Sequence, residues 1–204
     1  MKPPVRQNPL WKRRLATLSR WLHIYLSMFS FGVLLFFAVT GLTLNHQELF
    51  SGQQRTSQYK GSLDPKWVQA GPSGVASLEI AEHLRKSNHI TGAVSEFRVE
   101  DDQCEVTFKG PGYSANAVID RATGTYDVTE NRMGLIAIMN DLHKGRDSGK
   151  PWGVVVDISA ILLTLVSLTG LILIFFLFKR RFSGLLVLAA GILLCYLAYV
   201  IWVP

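Results

Sequence analysis

Cysteine is nearly missing from this chain. Only Cys104 and Cys195 occur, with no CxxC and no zinc or iron–sulfur spacing. Cys195 falls in an apolar run and Cys104 in a mixed region, so no disulfide between them is expected. Whatever folds outside the bilayer must then hold itself by its own core or by membrane contact. Acidic residues are absent from both ends: none precedes Glu48 and none follows Asp157. Also missing are HExxH, a P-loop, a dinucleotide glycine fingerprint and a nucleophile elbow with its Ser, Asp and His. Nothing in the chain therefore reads as a hydrolase or a transferase.

What the sequence has in excess is apolar length. The 204 residues are 49% hydrophobic, with a mean hydropathy of +0.22. The apolar residues crowd into 22–45, 153–178 and 185–203. Each run reaches about 19 residues or more, enough to cross ~30 Å of hydrocarbon at ~1.5 Å per residue. A single soluble core is excluded, and so is a porin-like barrel, whose strands would alternate. The expectation is an α-helical membrane protein with three transmembrane helices and one small α+β domain outside the bilayer.

The charge pattern orients the chain. Lys2, Arg6, Lys12, Arg13, Arg14 and Arg20 precede the first span, and Lys179, Arg180 and Arg181 separate the second from the third. The long loop between the first two spans holds nearly all the acids. By the positive-inside rule the N-terminus is cytoplasmic and the loop is extracytoplasmic. The net charge of +6 hugs the membrane ends, so nucleic acid is not the expected partner; the bilayer is. No small-x-small cleavage site follows Leu42-Thr-Leu-Asn-His46, so the first span reads as a retained anchor.

The expected organisation is a basic amphipathic segment at 1–21, a first span at 22–46, and a linker with its domain at 47–131. An interfacial amphipathic helix and turn follow at 132–151, then a second span at 152–178, a cytoplasmic loop at 179–184 and a third span at 185–203. Within the domain, 47–72 is polar and rich in Gly and Pro and reads as linker. Ser77–Lys86 reads as a helix with Ser77 as N-cap. Val94–Glu100, Cys104–Lys109 and Ser114–Asp120 read as strands, with a short fourth at Thr125–Thr129. Asp120-Arg-Ala-Thr-Gly-Thr-Tyr126 partly matches a covalent flavin-attachment motif but is taken as a turn. The two first spans share a local likeness, Val39-Thr-Gly-Leu42 against Leu168-Thr-Gly-Leu171.

The histidines are the residues with chemistry to offer. His46 ends the first span and His143 ends the amphipathic helix, so both belong at the outer membrane edge. Two neutral imidazoles at an apolar boundary are what six-coordinate b-type haem requires. Lys144 and Arg146 stand ready to pair with propionates. The plainer alternative is a pair of interfacial histidines. His23 opens the first span, about 34 Å of helix from His46 at ~1.5 Å per residue, so the two cannot share one iron. If His23 binds a second haem, a homodimer must supply the other ligand; the alternative is a headgroup or interhelical contact. His83 and His89 read as solvated. Asp157 lies in the second span, where a carboxylate is a functional candidate by default, though Arg146 or Lys150 could pair with it.

Taken together, these pieces resemble the PepSY-associated transmembrane family. The likeness is carried by Arg20-Trp-Leu-His23 and Thr40-Gly-Leu-Thr-Leu-Asn-His46, by Ala81-Glu-His-Leu84 with Val118-Ile-Asp-Arg-Ala-Thr-Gly124, and by Asp141-Leu-His-Lys-Gly-Arg146 with Thr169-Gly170. The resemblance implies a bacterial inner-membrane protein with a periplasmic PepSY-like domain. Larger relatives resemble ferric-siderophore reductases that use membrane haem. On that likeness His23, His46 and His143 become haem-iron ligands, and electrons would pass to a periplasmic flavoprotein or ferric chelate, in iron uptake. The chain is shorter than those relatives and has no nucleotide- or flavin-binding domain, so the competing expectation is a non-redox, membrane-tethered PepSY module that binds a partner.

Overall fold

In the computed structural model, which describes residues 9–69 and 74–204, six α-helices and five strands follow one another. The start of the basic leader, with Lys2 and Arg6, lies outside the described residues, as does Pro72. The helices are α1 (Leu10–Asn45), α2 (Pro65–Val68), α3 (Ser77–Asn88), α4 (Leu135–Lys144), α5 (Gly149–Phe176) and α6 (Arg181–Trp202). The strands are β1 (Arg55–Ser62), β2 (Ala93–Val99), β3 (Gln103–Gly110), β4 (Tyr113–Asp120) and β5 (Thr125–Arg132). The chain divides into two compact units, Met1–Leu35 with Asp157–Pro204, and Phe36–Val156.

The first unit is helical. α1, α5 and α6 are each long and apolar enough to cross a membrane. Their side chains are mostly exposed, and the exposed ones are Leu, Ile, Val and Phe. In water such a surface would cost about 25 cal/mol per Å² of apolar area, so it belongs against lipid. The residues that do bury are small and polar: Ser19, Ser30, Ser159 and Thr169. Small residues let helix backbones approach, and in lipid that closeness is a main source of association. α1 runs unbroken through the segment expected as a separate lead-in, because nothing from Leu10 to Trp21 breaks a helix. The turn between α5 and α6 comes at 177–180, a few residues before the expected loop.

The second unit holds a five-stranded antiparallel sheet in the order β1-β5-β4-β3-β2. Alternation on the three inner strands buries Cys104, Val106 and Phe108 of β3, Ala115, Ala117 and Ile119 of β4, and Tyr126 and Val128 of β5. Against that face lies α3, through Ile80, Ala81 and Leu84. The expected helix and four strands are all present.

Three details differ from the sequence reading. The described part of the polar stretch expected as a linker, 47–69, is structured: it forms a 3-10 turn (Gln47–Gln53), then β1 paired along its whole length with β5 (Arg55 opposite Arg132, Ser62 opposite Thr125), then α2. Ser77 does not cap α3; Ala76 occupies the cap position without a side-chain bond. β5 runs on to Arg132, beyond the expected end at Thr129, because Glu130 is buried and needs partners. Its carboxylate receives two bonds from Arg132 (3.0 and 2.8 Å) and one from the Tyr59 hydroxyl (3.1 Å).

Candidate functional site: two threonine-anchored histidines

In the second unit, α4 is fixed through its second half. Asp141 Oδ2 accepts from the Gly112 amide (2.8 Å), tying the helix to the β3–β4 turn. Gly112 is at φ +62°, and a Cβ there would strike Ile138, so only glycine fits. At its C-terminus Gly145 takes the left-handed C-cap and the Arg146 amide reaches back to the Asp141 carbonyl (2.9 Å). The Trp152 indole donates to the Leu142 carbonyl (2.8 Å). The last turn of α4, which carries His143, is therefore held rigidly.

His143 lies against the C-terminal part of α1. Its ring packs edge-on to Phe37 at 4.9 Å and lies over Gly41, where a Cβ would sit 3.6 Å from Cε1. Nδ1 is 2.6 Å from Thr40 Oγ1. The neighbouring Asn140 is buried and accepts from Thr43 Oγ1 (2.7 Å).

Thr40 Oγ1 has a single hydrogen, and the Phe36 carbonyl (2.6 Å) and His143 Nδ1 (2.6 Å) both lie within its reach. When that hydrogen goes to the carbonyl, Nδ1 carries the ring proton and the Nε2 lone pair is left for another partner.

The first unit repeats the arrangement. His23 Nδ1 is 3.1 Å from the Val166 carbonyl and 3.1 Å from Thr169 Oγ1. A carbonyl only accepts, so in the bond to Val166 O it is His23 Nδ1 that donates. Thr169 Oγ1 donates to that same carbonyl at 2.9 Å. The ring lies on Gly170, where a Cβ would come within 3.0 Å of Cε1. Thr40-Gly41 and Thr169-Gly170 are the two halves of the sequence likeness between the spans. Each is a threonine that orients an imidazole beside a glycine that makes room for it.

His46 is different. It follows the end of α1 with φ −130° and ψ 44°. Its side chain is 47% exposed, and its Nδ1 is 3.5 Å from Glu48 Oε1. The structure gives His46 and His143 separate sets of neighbours. Lys144 and Arg146 are exposed and line a cleft of about 800 Å³, with Lys109, Tyr113, Glu48 and Asp141 also in its wall. His83 is not simply solvated: it is half-buried, edge-on to Trp67 (5.5 Å) and near Tyr126 (6.3 Å). His89 is exposed and caps α3 in the left-handed conformation at φ 55°. Among the described residues no group of three His, Cys, Asp or Glu side chains converges on a metal-sized site. The Asp120–Thr125 segment is a turn: Asp120 Oδ1 accepts from the Ala122 and Thr123 amides (2.9 and 2.8 Å) and from the Thr123 hydroxyl. Those bonds hold its carboxyl below the usual range.

The sequence named His23 and His143 but not their threonines. The signal was present in the repeated Thr-Gly pair, which without a fold is only a short match.

No curated protein and no solved structure matches the chain. A family model described as "Putative PepSY_TM-like" matches residues 17–204. That span takes in both Thr-Gly pairs, α1 from residue 17 on, α5, α6 and the whole sheet, and on it the chain belongs to the PepSY_TM-like family.

Proposed function

We propose that this protein is a membrane-embedded b-type haem carrier that passes electrons from one face of the bilayer to the other. The observation that carries the reading is the anchoring of both rings: His143 Nδ1 and His23 Nδ1 each lie against oxygen, and in the Nδ1–H tautomer the Nε2 lone pair is left over. A metal-ligating histidine characteristically donates its other ring N–H to an oxygen, which fixes the ring and raises its basicity. On this ground His143 and His23 would suit haem iron as ligands. When bound, haem supplies a one-electron couple whose potential its axial ligands and surroundings tune.

The chain's own residues do the rest. Thr40 and Thr169 orient the imidazoles. The apolar side chains of α1 and α5 exclude water. His46 remains the candidate for the second ligand beside His143, with Lys144 and Arg146 toward the propionates. The second ligand for His23 would come from a second copy of the chain. By the charge pattern, the sheet domain faces the periplasm of an inner membrane, and the acceptor is a periplasmic flavoprotein or a ferric chelate, as in siderophore-iron uptake.

The test is the absorbance spectrum of full-length protein made under haem-replete conditions and reduced with dithionite. Sharp α and β bands are expected. His143→Ala and His23→Ala should each remove part of the haem, and together all of it. A colourless protein, or a spectrum indifferent to both substitutions, refutes the reading and leaves the tethered binding module.

A further inference from the structure

A second site lies in the helical unit, at the end that carries the basic clusters. Trp11, Lys12, Arg13, Leu15, Ala16 and Arg20 of α1 face Ile172, Phe175 and Phe176 of α5, with Phe178 and Arg181 beyond, around a cavity of about 520 Å³. Four of its lining residues are cationic and none is acidic. The ring contacts are cation–π: Lys12 Nζ lies 5.4 Å from the Trp11 ring, and the Arg181 guanidinium 5.9 Å from Phe178. The remainder of the wall is apolar and continues into the exposed Leu, Ile and Phe of the spans.

Each feature excludes some ligands. Unopposed positive charge calls for an anion. Arginine in particular pairs phosphate through two parallel N–H bonds. Aromatic and aliphatic walls suit acyl chains, and Trp prefers headgroup level. Basic pockets between helices where spans leave the bilayer suit phospholipid headgroups. We infer that this cavity is a binding site for one anionic phospholipid, its phosphate held by Arg13, Arg20, Lys12 and Arg181 and its upper acyl chain against Phe175 and Ile172. The inference is independent of haem.

Native mass spectrometry of the full-length protein in detergent, offered equal amounts of phosphatidylglycerol and phosphatidylcholine, tests it. A retained phosphatidylglycerol adduct is expected. Each cation near a phosphate is worth roughly fivefold, so Arg13→Gln with Arg20→Gln should lower the preference about 30-fold. Arg13→Lys with Arg20→Lys should restore most of it. Arg14→Gln with Lys179→Gln removes the same charge from positions outside the cavity wall and should leave the preference intact. Circular dichroism of each variant confirms that the helices persist. Equal loss in both Gln pairs means diffuse attraction and overturns the site, as does no preference at all. Displacement of the adduct by millimolar inorganic phosphate alone would overturn the lipid assignment in favour of a free-phosphate site.

Discussion

Replacing Thr40 with valine tests the anchoring of His143 without creating a cavity, because the two side chains have nearly the same shape. Thr40 is 1% exposed, and its hydroxyl lies 2.6 Å from both Phe36 O and His143 Nδ1. An interhelical hydrogen bond in a membrane contributes about 0.6 kcal/mol on average and up to about 1.7. Leaving the Nδ1–H without a partner in apolar surroundings costs about 1–3 kcal/mol, less if the ring turns to find one. A loss of about 1–2 kcal/mol is therefore expected. The control is Thr164→Val, whose hydroxyl bonds only the carbonyl one turn back, Ala160 O, on an exposed face. It should change stability by less than about 0.5 kcal/mol. Denaturant titration of the purified protein in micelles reads the difference. Nitrogen-15 spectra of histidine-labelled protein read the chemistry directly: the wild-type proton of His143 is expected on Nδ1, and Thr40→Val should populate the other tautomer. If the wild-type proton is found on Nε2, the ligand argument fails whatever the stability result.

Three further outcomes follow from the same geometry. Gly41→Ala should be tolerated and Gly170→Ala should not be neutral, since the new Cβ meets an imidazole at 3.6 Å in one case and 3.0 Å in the other; the nitrogen-15 signal of His23 should move in the second variant and that of His143 stay put in the first. Glu130 is buried, and desolvation pushes its pKa up, but hydrogen bonds from Arg132, Tyr113 and Tyr59 outweigh that and leave it below the ordinary glutamate value. Its contribution is thus present above the unfolded carboxylate range near pH 4.3–4.5 and is lost as pH falls through the lower folded value. Glu130→Gln should destabilise the sheet unit by about 1–3 kcal/mol at pH 7 and flatten the acid limb of a pH–stability curve; an unchanged acid limb counts against Glu130 as its source. Cys104 is fully buried, and burial raises its thiol pKa. It should react with a water-soluble maleimide only after denaturation, and prompt labelling of Cys104 in the native protein would contradict the packing of β3.

The membrane spans and the inner strands were legible in the sequence because each carries its period openly. Cys104-Glu-Val-Thr-Phe108 alternates, and the spans are simply long. β1 was not legible: Arg-Thr-Ser-Gln-Tyr-Lys-Gly-Ser has no apolar alternation, and its residues are mostly exposed. It is a strand because β5 offers a free edge for it to pair with, and that information lies about 70 residues away in the chain. The end of β5 was hidden for a related reason, since a buried Glu130 becomes sensible only with Arg132 and Tyr59 in view. At the histidines, the sequence supplied the residue types and the likeness of the spans. The partners at Nδ1 are long-range contacts, such as His143 with Thr40, which no local pattern encodes.

One of the two outer strands, β2, bears on the competing adaptor reading. Among the described residues β2 has a sheet neighbour on one side alone, and such an edge invites a foreign strand to extend the sheet. Yet β2 shifts register between Val94 and Glu96, which kinks its rim, and it bristles with a Glu96–Arg98 ion pair at 2.6 Å. Both devices discourage lengthwise docking. A peptide captured by this domain would have to bind somewhere other than along that border.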